Sequence, residues 1–381
     1  YQGLEIDNLK FNYLLAGVPM AVYVMRNALA SDLENIVFVG SKETEKMFRM
    51  ARYIFPDSLS KNVEFAIEDE EPSFYKTLKK GQEALKIKGD TICFIPGDTP
   101  LLTDINPILH DPDAGKYDLV IDLNSKEKTF SDKDNFFALE YEFFKRNYYL
   151  AITEKKSRPY SFKEPNTWIF NPEVLDEKLV EFFTSTRKGG ALTVARILSF
   201  AFLRSNDKKR VLGMAPEGIY RYSIRPRLAK FFNYLLKKEY DTRKIFRREY
   251  LEELGGLLIK RKVRVKVEHS DVNRLADIDS LEDWAYYEEL FDYAIKEKGG
   301  LGYIYPYATD IERFKKEYEE ELKQTIPLYK DFPGFMNSRF NKFGLPQPYH
   351  FGQLKSFRTK LVDLENAVEH MHKKLLLAAE A

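Results

Sequence analysis

Short apolar runs punctuate the first third of this chain, and they limit its fold more than any other feature. Asn35-Ile-Val-Phe-Val-Gly40 and Thr91-Ile-Cys-Phe-Ile95 lack polar alternation, as strands covered on both faces do. Val63-Glu-Phe-Ala-Ile-Glu68 alternates more and belongs nearer an edge, and Tyr117-Asp-Leu-Val-Ile-Asp-Leu123 reads as the next strand. Ser73 to Leu85 has a helical pattern, with Phe74, Leu78 and Leu85 on one face. Strand, helix and strand in succession predict an α/β chain with a mostly parallel sheet.

The run ending at Ile95 leads into Pro96-Gly97-Asp98-Thr99-Pro100-Leu101-Leu102-Thr103. Proline cannot continue a ladder and glycine permits a sharp turn, so the strand stops there. Asp98 then falls just past the carboxyl end of a strand, where open α/β sheets hold their ligands. Pro100 stiffens the turn, and two leucines carry the chain back toward the core. A solvated turn aspartate is the plainer alternative.

Gly97-Asp98-Thr99-Pro100-Leu101-Leu102-Thr103 resembles the Gly-Asp-x-Pro-Leu element of the sugar-phosphate nucleotidyltransferase superfamily. That superfamily has a glycosyltransferase-A-like fold and includes the molybdenum-cofactor guanylyltransferases. The resemblance covers residues up to about 298. It implies a three-layer, Rossmann-like, mostly parallel sheet in residues 1–298, followed by a helical C-terminal extension over 299–381. It also implies that Asp98, with Gly97, meets the nucleotide and holds Mg²⁺ or Mn²⁺.

Other segments are similar to the family in order. Lys10 stands where the family keeps a phosphate-binding lysine, and a second such lysine is replaced by Val18. Glu164-Pro165-Asn166-Thr167 is similar to an acceptor-holding Glu-x-Asn-Thr element. A carboxylate and an amide two residues apart on a strand share one face. Trp168 follows where a small glycine is common, and a capped loop is the alternative. Lys188, ahead of a helix, is a candidate phosphate contact or a plain surface charge. Ala276-Asp277-Ile278-Asp279-Ser280-Leu281-Glu282-Asp283 resembles the family's closing Asp-Ile-Asp-Thr-Pro-Glu-Asp, which makes Asp277 and Asp279 metal candidates. Carboxylate oxygens suit a hard divalent cation. The same residues also make a capped helix start, with Ser280 as cap and Asp283 at the third position. The resemblance implies a Leu-Ala-x-Gly-x-Gly-x-Arg strand and loop before Lys10. Residues 1–9 hold no such pattern, so it is expected upstream of Tyr1, or the protein has lost it.

The activity so implied is transfer of a nucleotidyl group from a nucleoside triphosphate to a phosphorylated acceptor, releasing pyrophosphate. A catalytically inactive homologue serving as scaffold or regulatory subunit is the second reading. A metal-dependent glycosyltransferase is the third, although the position of its Asp-x-Asp reads Asp98-Thr99-Pro100 here.

Bulk properties exclude several other classes. Sixty basic and 59 acidic residues leave a net charge of +1, so no global field favours nucleic acid or an acidic membrane. The single Cys93 rules out an internal disulfide and, inside a strand, reads as a buried, inert thiol in a cytoplasmic protein. Residues 201–258 are helical in pattern, with basic pairs at 237–238, 243–244 and 247–248 that read as a solvated face. Arg261-Lys-Val-Arg-Val-Lys-Val-Glu-His269 alternates as a half-exposed strand. Leu354, Phe357, Leu361, Leu364, Val368, Met371 and Leu375 form a heptad seam that either docks within the chain or meets a partner helix, a second copy included.

Overall fold

The computed structural model describes residues 10–69, 73–85, 91–102, 105–110, 114–122, 150–153, 160–162, 167–174, 176–186, 193–237, 240, 244–260, 262–268, 277–278 and 281–325, with 334, 336 and 338. Glu164, Asn166, Lys188, Asp279 and the heptad segment lie outside these residues.

Lys10–Asn12 is a single 3₁₀ turn that leads into a hairpin of β1 (Leu14–Leu15) and β2 (Val18–Pro19). Its two-residue loop has positive φ at both positions, 51° at Ala16 and 81° at Gly17. Hairpin loops favour that pairing because its twist matches that of the strands. Ala16 is the costlier of the two, since its Cβ disfavours the left-handed region. The loop is held from both sides. The Ala16 N–H donates to Glu288 Oε2 at 3.0 Å, and Lys315 Nζ donates to the Ala16 carbonyl at 2.8 Å.

α1 (Met20–Ala30) follows, with ten of its eleven residues buried. A helix apolar on all sides belongs inside a core. It is enclosed by α2 (Lys42–Ile54), α10 (Leu281–Glu297) and α11 (Ala308–Thr325). Trp284 seals the contact with its indole N–H on the Leu14 carbonyl at 2.9 Å. Arg26, the one charge on α1, is buried and ion-paired, with Asp57 at 2.7 Å and Asp310 at 2.5 Å. Its guanidinium also lies 4.3 Å from the Tyr307 ring centroid. Leu301, Ile304, Tyr305, Ile311 and Phe314 belong to this same core, so residues beyond 299 pack directly on α1.

The remaining α/β elements are β3 (Asn35–Gly40), β4 (Asn62–Ile67), α3 (Phe74–Leu85), β5 (Ile92–Phe94), α4 (Asn106–Leu109) and β6 (Leu119–Asp122). Then come β7 (Leu150–Thr153), β8 (Tyr160–Phe162) and β9 (Trp168–Phe170). The helical stretch holds α5 (Glu177–Thr186), α6 (Thr193–Arg204), α7 (Lys208–Ile219), a π turn at Tyr220–Ile224 and α8 (Arg225–Leu236). β10 (Lys244–Arg247), α9 (Arg248–Ile259) and β11 (Val265–Glu268) complete the order.

Among the described residues the strands form three small sheets besides the hairpin. β3 and β4 pair in parallel. A four-stranded sheet runs β11-β6-β9-β5, with β9 antiparallel to both neighbours and β11 parallel to β6. The third sheet runs β10-β7-β8. The molecule is mixed α/β.

Two expectations need correction. β5 is half-buried rather than covered on both faces, and its described neighbour β9 is antiparallel. Residues 201–258 are not all helical: Lys244-Ile-Phe-Arg247 forms β10, parallel to β7. Four residues carry too little periodicity to show a strand, and the ladder offered by a distant segment decides the matter.

Candidate functional site

Three segments far apart in sequence meet at the carboxyl end of β5. The Pro96–Leu102 elbow is built locally: Thr99 Oγ1 donates to the Pro96 carbonyl at 2.8 Å, and the Leu102 N–H to the Thr99 carbonyl at 3.1 Å. Thr99, Leu101 and Leu102 are buried while Asp98 between them and the strand is half-buried. The elbow is thus anchored behind the aspartate, as its leucines predicted.

α1 supports the elbow from below. Asn27 Nδ2 donates to the Pro100 carbonyl at 2.9 Å. The Tyr305 hydroxyl in turn lies 2.7 Å from Asn27 Oδ1 and 2.9 Å from the Tyr23 carbonyl. Complete burial holds the Tyr305 phenol well above its ordinary pKa, so it stays protonated and can donate.

The second segment is the closing motif. The Ile278 N–H donates to the Asp98 carbonyl at 3.1 Å. Ile278 is fully buried and its neighbour Asp277 is half-buried. Residues 180 positions apart are therefore joined backbone to backbone, with an aspartate on each side of the joint. Asp118 helps to direct the chain there. It is buried, accepts the Arg264 N–H at 2.9 Å and ties the start of β6 to the segment entering β11. Nothing in the local sequence separates Asp118, a buried tie, from a turn residue.

The third segment is the turn that carries Lys10. Phe11 lies so close to Gly97 that a Cβ there would meet its ring at 3.0 and 3.1 Å. A side chain at residue 97 would need the ring to give way by a few tenths of an ångström. The Asp98 and Asp277 segments are thus joined backbone to backbone, and the turn carrying Lys10 reaches the elbow through the Phe11 ring. Val18, standing where the resemblance has a second lysine, is buried in the hairpin and offers no charge.

Oxygen donors on two anchored corners suit a hard cation of the Mg²⁺ or Mn²⁺ kind. Among the described residues no group of three or more His, Cys, Asp or Glu side chains converges on one point. Cys93 takes no part: burial pushes its thiol up to about 12, far from a reactive thiolate. The groove of about 360 Å³ between α5 and α6 is lined by Phe182, Ala195, Arg196, Ser199, Phe200 and Leu203, a mostly apolar wall without a carboxylate. Among the described residues no helix is long and apolar enough to cross a membrane.

No protein-family model matches the chain, and no curated protein matches it. Among solved structures it is similar to a hypothetical transferase from Thermus thermophilus, at 18% identity and a TM-score of 0.36. That match covers 72% of this chain and 89% of the other.

Proposed function

We propose that this chain is a nucleotidyltransferase, moving a nucleoside monophosphate from a triphosphate to a phosphorylated acceptor. The observation that carries the reading is the 3.1 Å bond from the Ile278 N–H to the Asp98 carbonyl, which brings the two acidic motifs into one place. The motif resemblance supplies the substrate class.

An acceptor phosphate oxygen is already ionised at neutral pH, so the reaction needs little acid–base help. Positioning and neutralisation of charge carry most of the rate. Asp98 and Asp277, with Asp279, would hold Mg²⁺. When bound there, the cation supplies positive charge to the phosphate oxygens. Lys10 would add a second positive charge beside the triphosphate. Glu164 and Asn166 would orient the acceptor hydroxyls, and Lys188 its phosphate. The buried tie from Asn27 to Pro100 anchors the Asp98 elbow on α1.

The test is pyrophosphate release with each nucleoside triphosphate and a panel of sugar phosphates in Mg²⁺. Asp98→Asn and Asp277→Asn are each expected to lower the rate by about 100-fold or more, with melting temperatures unchanged. Full activity in both variants would end the proposal.

Buried Val18 favours a second reading, in which the fold persists as a scaffold or regulatory subunit without turnover. Silence across the whole substrate panel, with triphosphate still bound, is the outcome expected of it.

A further inference from the structure

One helix faces solvent with the composition of a core. α8 runs Arg225–Leu236 and buries only Pro226 and Ala229. Half-buried Asn233, seven residues after Pro226, completes the side turned toward the protein. At 100° per residue, Ile224, Leu228, Phe231 and Leu235 make one stripe on the far side, with Phe232 and Leu236 beside it. All six are exposed, Phe231 at 56% and Leu235 at 59%. Arg227, Lys230 and Lys237 line the edge between the apolar and protein-facing sides, together with Tyr234. The helix thus has three sectors, one packed, one basic and one apolar and outward, with half-buried Arg225 at the margin of the last between Phe232 and Leu236.

Charge decides what covers the outward sector. From Gly218 to Lys238 the sequence has Arg221, Arg225, Arg227, Lys230, Lys237 and Lys238 and not one acidic residue. The whole chain carries only +1, so this stretch is locally basic against a net −5 elsewhere, although Arg221 is already paired with Glu217 at 2.8 Å. A second copy docked by the same face would set this positive edge against itself. Nucleic acid would answer the charge but leave the four aliphatic side chains with nothing to pack on. An anionic bilayer answers both: headgroups pair with the basic edge while the acyl boundary accepts the apolar sector. Tyr234, 87% exposed beside the basic edge, has the apolar body and polar tip that suit the headgroup level.

We propose that α8 is a membrane-surface helix that docks the protein on anionic lipid, lying in the interface plane without crossing it. This departs from the sequence-based expectation of no membrane partner, and it stands independently of the catalytic proposal.

Sedimentation of the full chain with phosphatidylcholine vesicles, with and without phosphatidylglycerol, tests it. Binding is expected only with the anionic lipid and should weaken as sodium chloride rises, because exposed charges are screened. Phe231→Ser with Leu235→Ser, and separately Arg227→Glu with Lys230→Glu, should each cut the bound fraction by about tenfold. Both pairs are exposed, so thermal melting should match that of the parent. No sedimentation with phosphatidylglycerol vesicles would overturn the proposal, as would binding that survives both pairs. A parent dimer in light scattering that the Ser pair converts to monomer would overturn it too, by assigning the face to a second copy.

Discussion

α1 and α8 are nearly equal in length, both lack acidic residues, and they have opposite fates. Met20–Ala30 buries ten of eleven residues, whereas Arg225–Leu236 buries two of twelve. α1 lies where the hairpin, α2, α10 and α11 converge, and its single charge, Arg26, is met by Asp57 and Asp310. α8 has cover on one side only, and its cations line the boundary of that cover. Apolar content alone does not bury a helix. Neighbours must arrive on every side, and each charge carried inside must find a partner there.

The sharpest way to break this contrast is a matched pair of truncations. Trp284→Ala removes a fully buried indole packed beside α1 and its bond to the Leu14 carbonyl. It should cost about 3–5 kcal/mol in urea unfolding. Phe231→Ala on α8 should change stability by no more than about 0.5 kcal/mol. Equal costs would show that α8 is covered after all.

A second experiment examines a charge inside the α1 core. Burial raises the Glu288 carboxyl from 4.5 to about 7, against the opposing effects of the Ala16 N–H and Lys315 and with the aid of Asp292 and Glu289. Between those values the native state holds a proton that the unfolded chain has released. This group's contribution to stability is therefore greatest below about pH 4.5, declines up to about pH 7 and is level beyond. Glu288→Gln should remove that slope and exceed the parent above about pH 7 by up to about 3 kcal/mol. A parent whose stability rises between those pH values through this residue would contradict the assignment.

Asn27→Ala tests how the core supports the elbow. Loss of the bond to Pro100 should cost about 1–2 kcal/mol and lower kcat for pyrophosphate release while leaving the triphosphate KM little changed. Asn27 acts through the elbow and touches no reacting atom, so a purely structural role would move stability alone.

The smallest effect belongs to the end of α8. Lys237 has φ 50°, a left-handed conformation that glycine adopts freely. Lys237→Gly should raise the unfolding free energy in urea slightly, by a few tenths of a kcal/mol to about 1 kcal/mol. A loss would mean that the lysine side chain contributes more than its backbone strain costs.

Much of the local structure was legible in the sequence. β3, β5 and β6 fall inside the apolar runs that predicted them, β4 begins one residue before its run, and α3 lies inside its periodic stretch. The elbow at Asp98 was legible too, because proline, glycine and the two leucines dictate its path whatever surrounds it. β10 was not, being four residues with basic ends whose partner β7 lies about 90 positions earlier. Asp118 carries no local signal for the same reason: its partner, the Arg264 N–H, comes from the neighbouring strand's entry 146 residues further along the chain.

The sequence alone determined the longer apolar strands, the Asp98 turn and the periodic helix α3, since propensity and periodicity act over a few residues. Tertiary structure decided that Gly97 lies against the Phe11 ring, that the Asp98 carbonyl meets the Ile278 N–H, and that α1 is enclosed while α8 is covered on one side only. Those outcomes depend on which distant segments come to lie against each surface. A local pattern shows that a face is apolar, and only the assembled chain determines whether anything covers it.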